Sequence, residues 1–445
     1  VTGYDAIVVG AGASGLNCSR LLRREGLSVV VYEARERVGG RIHTFHPADG
    51  GPPLELGAQV VHGDRNPVHQ LVGPGRTSPV PRRVTARIVE DGADRSMGAL
   101  GSGRRAPWQL EAMLRRAPGI TGLSVGTWLR AQGSTGPEAA AAREWFRQNW
   151  AADPDELSAA AVASAHRGDA GGGGGGGDVG ESVGEGFGVG VGEGVGVGER
   201  VGEGVGEGEF AVEGGFARLP ERLAAGLDVR LGEPVRELAH EPGRVTVRTD
   251  TGTATARAAV LTVPPAVLTA GAITGLPAQK RAAATRLPAG DGCCAVVTLD
   301  RPAPDTVIVF DVDGRAGFVR CTTGRPEALV VAKAGAAAHL RAAVADRTAL
   351  AALLATALPW TSGAAVLGLA VADWGQDPYA GGAFTAPRAG LEGAAREWAE
   401  PVDGTLFFAG EATLTGFRLP WVQGALASGQ RAAEQVLKAL ATRRT

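Results

Sequence analysis

The chain has 445 residues, 44% of them hydrophobic, and a formal net charge of −2. That length supports two or three domains around a substantial core, and the near-zero charge excludes a global field directed at nucleic acid. No run of about 18 apolar residues occurs, so no membrane span is expected.

In chain order, DAIVV (5–9) predicts a buried parallel strand, entered at once, with no secretory leader expected ahead of it. A glycine-rich turn follows, then an apolar-periodic helix over Leu16 to Glu25 and a second strand, SVVVYE (28–33). Residues 170–210 change character, with glycine from Gly171 to Gly177 and VGEG-like repeats as far as Glu209. Glycine at that density is costly to order, so the segment reads as a flexible, solvated insertion. Globular sequence resumes at 211, with GGFARLPERLAAGL (214–227) as a turn and helix, and then VRLGEPVREL and RVTVRTDTG as short strands. AAVLTVPP (258–265) predicts a buried strand stopped by two prolines. Residues 290–335 read as strand-rich and 337–358 as one helix. TLFFAGEA then gives a strand and turn, and VQGALASGQRAAEQVLKAL (422–440) a long closing helix.

Three of the 45 basic residues are lysine, namely Lys280, Lys333 and Lys438. With the abundant Ala and Gly this reads as a GC-rich coding bias. The four cysteines are Cys18, Cys293, Cys294 and Cys321. None forms a C-x-x-C pair, and adjacent cysteines bridge only in strained geometry. Zinc needs about four suitably spaced ligands, and no histidine clusters with the cysteines, so no metal is expected. Free thiols fit a reducing, cytoplasmic compartment.

The first chemical motif is Gly10-Ala-Gly12-Ala13-Ser14-Gly15, placed between a strand and a helix. Glycines there allow a tight turn and close approach of backbone to a pyrophosphate, which the helix N-terminus then favours. Glu33 closes the second strand eighteen residues past Gly15, where a carboxylate can accept bonds from ribose hydroxyls. The alternative is a glycine-rich turn in an unrelated α/β fold.

ARERVGGRIHT (34–44) resembles the R-x-G-G-R-x-x-T signature of two-domain FAD enzymes of the glutathione-reductase-like superfamily. It is similar in particular to the flavin amine oxidases: monoamine, polyamine and L-amino-acid oxidases. ELGAQVVHGDRNP (55–67), the VLTVPPAVL strand, LFFAGEAT (406–413) and WVQGALASGQRAA (421–433) resemble further blocks of that family. The resemblance implies an FAD site built from Ala34, Arg35, Gly39, Gly40, Arg41, Gly57, Ala58 and Gln59, with Val235 and Val263. Trp374, Gly410, Glu411, Trp421 and Val422 complete it. It implies an α/β fold: a discontinuous Rossmann-like FAD-binding domain (1–75, 211–285, 390–445) and a mixed α+β substrate-binding domain (76–169, 286–389).

The implied reaction is oxidation of a C–N bond, with hydride passing to flavin N5 and O2 reduced to H2O2. Members with covalent flavin carry cysteine where Ala383 stands, so FAD is expected to be non-covalent. Phe384 and Trp421 match the two walls of an aromatic cage that would steady developing positive charge; core packing is the other use of such residues. Gln59 and His62 fall on the substrate side. Asp64 is either a base toward a substrate N–H or C–H or a turn aspartate capping GDRNP. Arg320 either binds a substrate carbonyl or carboxylate or faces solvent.

The largest departure is in GDGCCAVVTLDRP (290–302), where Cys294 stands at the family's lysine. Lys333 belongs to a different segment and is not expected to replace it. A missing lysine favours an atypical substrate. One such branch is the amide oxidases and macrocyclases of lankacidin-type antibiotic biosynthesis, a secondary metabolism in which an acyl imine closes a polyketide ring by a Mannich reaction. A plain amine or amino-acid oxidase, a C–C desaturase and a non-catalytic FAD protein are the other readings. The partner expected is a small-molecule amine or amide; monomer and homodimer both stay open.

Overall fold

A computed structural model describes residues 2–80, 84–165, 208–391, 393–414 and 421–442. Of the glycine-rich insertion, residues 170–207 lie outside the described residues. The chain opens with β1 (Thr2–Val9), α1 (Ala13–Arg24) and β2 (Val29–Tyr32). β3 (Thr85–Glu90), β4 (Ala93–Ser96) and α2 (Gly136–Trp150) follow. Next come β5 (Asp228–Arg230), β6 (Val235–Glu241), β7 (Arg244–Thr249) and β8 (Thr253–Leu261). β9 (Gly292–Leu299), β10 (Val307–Asp311), β11 (Phe318–Cys321), β12 (Glu327–Lys333) and β13 (Val366–Asp373) form the next group. β14 (Leu406–Phe408) and α3 (Val422–Thr442) close the chain.

The first sheet pairs β5, β2, β1 and β8 in parallel, with β14 joining β8 in the same sense. β7 and β6 extend it antiparallel. Its parallel strands are apolar on both faces because both are covered. Ala6, Val8, Val31 and Val260 pack under α1 and α3, while Ile7, Val9, Val30 and Leu261 meet the other layer. The two helices cross closely. A Cβ on Gly429 would stand 2.3 Å from the Ser14 carbonyl oxygen, and Asn17 donates to the Leu426 carbonyl at 2.9 Å.

The second sheet runs β13–β9–β12–β11–β10–β3–β4, antiparallel except where β10 meets β3. β9 lies between β13 and β12, and all of its sequence GCCAVVTL except Thr298 is buried. Successive side chains of a strand point to opposite faces. Cys293 therefore joins the core with Ala295 and Val297, and Cys294 faces the other way, beside Val296 and Trp374. The adjacent thiols diverge, and all four cysteines are free and buried.

Two expectations change. The helix expected over 337–358 is two, Gly335–Ala343 and Arg347–Ala357, because Asp346 caps a fresh start by accepting the Thr348 N–H. The strand Glu209–Val212 begins inside the segment expected to be flexible. It pairs with Val61–His62 and Thr77–Pro79, and Phe210 packs edge-on against His69 with ring centroids 4.7 Å apart. No helix among the described residues is long and apolar enough to cross a membrane.

Candidate active site

The turn after β1 requires its glycines for distinct reasons. Gly10 has φ +106°, which disfavours any side chain. A Cβ on Gly15 would meet the Gly10 carbonyl oxygen at 2.1 Å, so Gly15 does not line the site but lets α1 seat on the turn. At Gly12 the direction of a Cβ is open, with nothing within 4 Å, and no side chain caps α1. The first-turn N–H groups thus stand ready for an anion. Glu33 is 4% exposed and braces the turn: its carboxylate accepts the Ala11 N–H at 2.8 Å and the Arg35 N–H at 2.9 Å.

A cavity of about 310 Å³ begins at this turn. Gly10, Gly12, Ala13, Ser14, Glu33, Ala34 and Arg35 line its first part, with Gly39, Gly40, Arg41, Val235 and Val263. Gly57, Ala58, Gln59, His62, Trp374, Phe384, Gly410, Glu411, Trp421 and Val422 line the rest. Several lining side chains are committed elsewhere. Arg35 pairs with Asp377 at 2.6 Å. Arg41 donates to Glu411 at 3.0 Å and to the Ala383 carbonyl at 3.1 Å, while Glu411 also accepts the Thr385 hydroxyl at 2.9 Å. These bonds tie three distant turns to one another. The Trp374 N–H is used on the Leu56 carbonyl at 2.8 Å.

Phe384 and Trp421 are brought to one cavity from opposite sides of the chain's closing third. His62 stacks on Trp421, centroids 4.0 Å apart and planes 17° apart, and its Nδ1 lies 3.7 Å from Glu209. Gln59 spends its Nε2 on the Glu55 and Gly57 carbonyls. Below it, Glu55 is largely buried and accepts the Phe216 N–H and the Thr44 hydroxyl, both at 2.8 Å. Burial outweighs those bonds and pushes its carboxyl up to about 7.

Two residues expected at the chemistry are not among those that line the cavity. Asp64 is exposed in its turn and does not line the cavity. Arg320, on β11, does not line it either; burial lowers its pKa against the opposing pull of Glu209, and its Nε has no partner among the described residues.

The cavity also holds the position where the family resemblance implies lysine, and two residues not expected in it. Cys294 lines it, its thiol pushed up to about 12 by burial. Lys333 lines it as well, as does Asn149 at the end of α2. The register explains Lys333: β12 runs antiparallel to β9 with Lys333 opposite Gly292, two residues beyond the Val331–Cys294 pair on the same face. The strand alternation of EALVVAK was readable; the pairing partner was not.

A βαβ unit ending in an uncapped helix start, covered by a second sheet, defines a Rossmann-like dinucleotide-binding protein with an added α+β domain. The flavin-containing amine oxidoreductase family matches residues 13–437, and the chain belongs to it. A Mycobacterium tuberculosis protein provisionally named a flavin-containing monoamine oxidase is 27% identical over 290 residues, 59% of this chain and 57% of that protein. The chain thus spans little more than half the length of that relative. Polyamine oxidase 3 of Oryza sativa is 41% identical over 71 residues, 16% of this chain and 14% of that one. Among solved structures, wild-type putrescine oxidase bound to putrescine superposes with a TM-score of 0.73 at 21% identity, covering 98% of this chain and 99% of that one. Cyclohexylamine oxidase from Brevibacterium oxydans gives 0.73 at 20% identity with the same coverage. At such identity these two show the shared fold. The residues present fit a flavin dinucleotide, since the open face at Gly12 and the free start of α1 leave room and donors for its phosphates.

Proposed function

We propose that the chain is an FAD-dependent oxidase of small-molecule amines, with O2 as terminal acceptor and H2O2 as by-product. One observation carries the reading: Phe384 and Trp421 share a single cavity with the phosphate-binding turn. FAD, when bound, supplies the acceptor for the hydride leaving the carbon beside nitrogen. Ala383 offers only a methyl group there, so the cofactor is held without a covalent bond. Gly10, Gly12, Ala13, Ser14 and Glu33 hold its nucleotide half, on a turn that Gly15 lets α1 approach. Phe384 and Trp421 flank the substrate, exclude water and present π faces to charge developing on its C–N unit. His62, stacked on Trp421, fixes that ring's tilt. The FAD-binding domain is taken as 1–75, 211–285 and 390–445, and the substrate domain as 76–169 and 286–389.

A second reading is oxidation of an amide followed by ring closure. It is supported by Cys294 standing where the family resemblance implies lysine. Putrescine and cyclohexylamine, the amines named for the structural neighbours, head the panel that separates the two. Anaerobic flavin bleaching and aerobic peroxide release are measured with alkyl amines, diamines, amino acids and N-acyl amines. Bleaching by free amines supports the first reading, and bleaching by N-acyl amines alone supports the second. No bleaching by any of them overturns both.

A further inference from the structure

We infer that Lys333 is the proton acceptor that turns a bound substrate ammonium into the free amine before its C–N bond is oxidised. This rests on the oxidase reading above and assigns a residue to a step that reading leaves open. An alkyl amine has a pKa of about 10 and arrives as an ammonium ion. Its nitrogen must recover a lone pair before the neighbouring carbon can release hydride. The transfer balances simply: R–NH3+ and Lys–NH2 become R–NH2 and Lys–NH3+, with only an N–H bond broken and another made.

The geometry places the amine for that exchange. Lys333 ends β12 opposite Gly292, and both residues line the cavity. Its Nζ sits 5.8 Å from the centroid of the Phe384 ring, on the cage side of the cavity. α2 holds it firmly. Gln148 accepts the Lys333 backbone N–H and donates to its carbonyl, both at 2.9 Å, and the Gln148 carbonyl accepts from Nζ at 2.5 Å.

The surroundings favour a neutral amine. Cys294 on β9 faces Lys333, and its negative form would favour the ammonium. Glu144 on α2 is tied to Gln148 at 2.7 Å and lies 3.5 Å from Arg147. Asp291 and Asp373 are tied to Arg341, and Arg41 to Glu411. The carbonyl end of α2 also favours the cation. Burial outweighs these and pushes the Lys333 amine down to about 8.

Residue choice agrees. The chain uses arginine for all but three of its 45 basic positions, and an arginine cannot release its proton at working pH. The other two lysines have other surroundings. Lys280 is buried against the Glu397, Trp398 and Glu400 carbonyls, and Lys438 is exposed on α3.

The test uses flavin-loaded wild type, Lys333→Met and Lys333→Arg, with anaerobic flavin bleaching by an alkyl amine followed across pH. Wild-type rates should rise through pH about 8. Both variants should be slower at pH 7.5 by ~100-fold or more, and should approach wild type only as pH nears the substrate's own pKa. If Lys333→Arg keeps the wild-type profile, the residue supplies charge, not a base, and the inference fails. A second readout needs no turnover. Labelling lysine Cε with 13C yields a spectrum of three signals, and the one lost in Lys333→Met belongs to Lys333. Its titration near pH 8 supports the inference, and titration above pH 10 overturns it. A wild type that no amine bleaches overturns the oxidase reading and this inference together. A wild type bleached by amines, with unchanged variants, overturns the inference alone.

Discussion

Replacing Glu55 by glutamine should remove a pH-dependent weakness from the floor of the site. The folded carboxyl is raised from 4.5 to about 7, chiefly by burial. At about 1.4 kcal/mol per pKa unit this amounts to ~3 kcal/mol. The folded state holds this proton more tightly than the unfolded chain. The associated stability is therefore full below pH 4.5 and is lost as pH rises through about 7. Glutamine is neutral throughout and keeps an acceptor for the Phe216 N–H. Its amide must replace an acceptor at the Thr44 hydroxyl, which costs about 1 kcal/mol at every pH. Glu55→Gln should thus be slightly less stable than wild type at pH 5 and more stable, by ~2 kcal/mol, at pH 8. Urea unfolding of both proteins at several pH values between 5 and 8 measures the difference directly. An offset that stays constant across that range would refute the reasoning. The site would feel the change, because Gln59 is anchored on the Glu55 carbonyl at 2.7 Å.

Gly15→Ala places a methyl 2.1 Å from the Gly10 carbonyl oxygen. Backbone must move, at about 1–3 kcal/mol, so purified protein should carry less flavin and melt lower; full flavin content would contradict this. Phe384→Ala or Trp421→Ala should keep the flavin yet slow its reduction by amines ~2- to 30-fold, the worth of a cation–π contact of about 0.5–2 kcal/mol. Unchanged reduction rates would remove the cage from the mechanism. Acid or heat denaturation should release intact flavin into solution, because Ala383 has no thiol to bond it; flavin retained on the precipitate would show a covalent link.

Much of the architecture was readable along the chain because it depends on local pattern. The unbroken apolar run at 5–9, the glycine spacing from Gly10 to Gly15 and the acid at Glu33 specify one βαβ unit within about thirty residues. The break at Asp346 was less readable. A capping aspartate inside an alanine-rich stretch competes with helix continuation, and packing settled the outcome. Likewise, glycine density marked 170–210 as one segment, whereas pairing with Val61–His62 recruited Glu209 and Phe210 into a strand.

The sequence alone determined the dinucleotide turn, the apolar strands and helices, and the motif blocks that resemble the family, since each depends on residues close together in the chain. Tertiary structure decided which side chains share the cavity. Asp64 and Arg320 are not among them: Asp64 sits in an exposed turn, and Arg320 shares the Val331 face of the sheet but stands one strand further from the cavity. Lys333 enters it because antiparallel register sets β12 beside β9, on the face that Val331 and Cys294 share. Register is a property of two segments paired across the sheet. The periodicity of one strand states which residues share a face and leaves open what that face will meet.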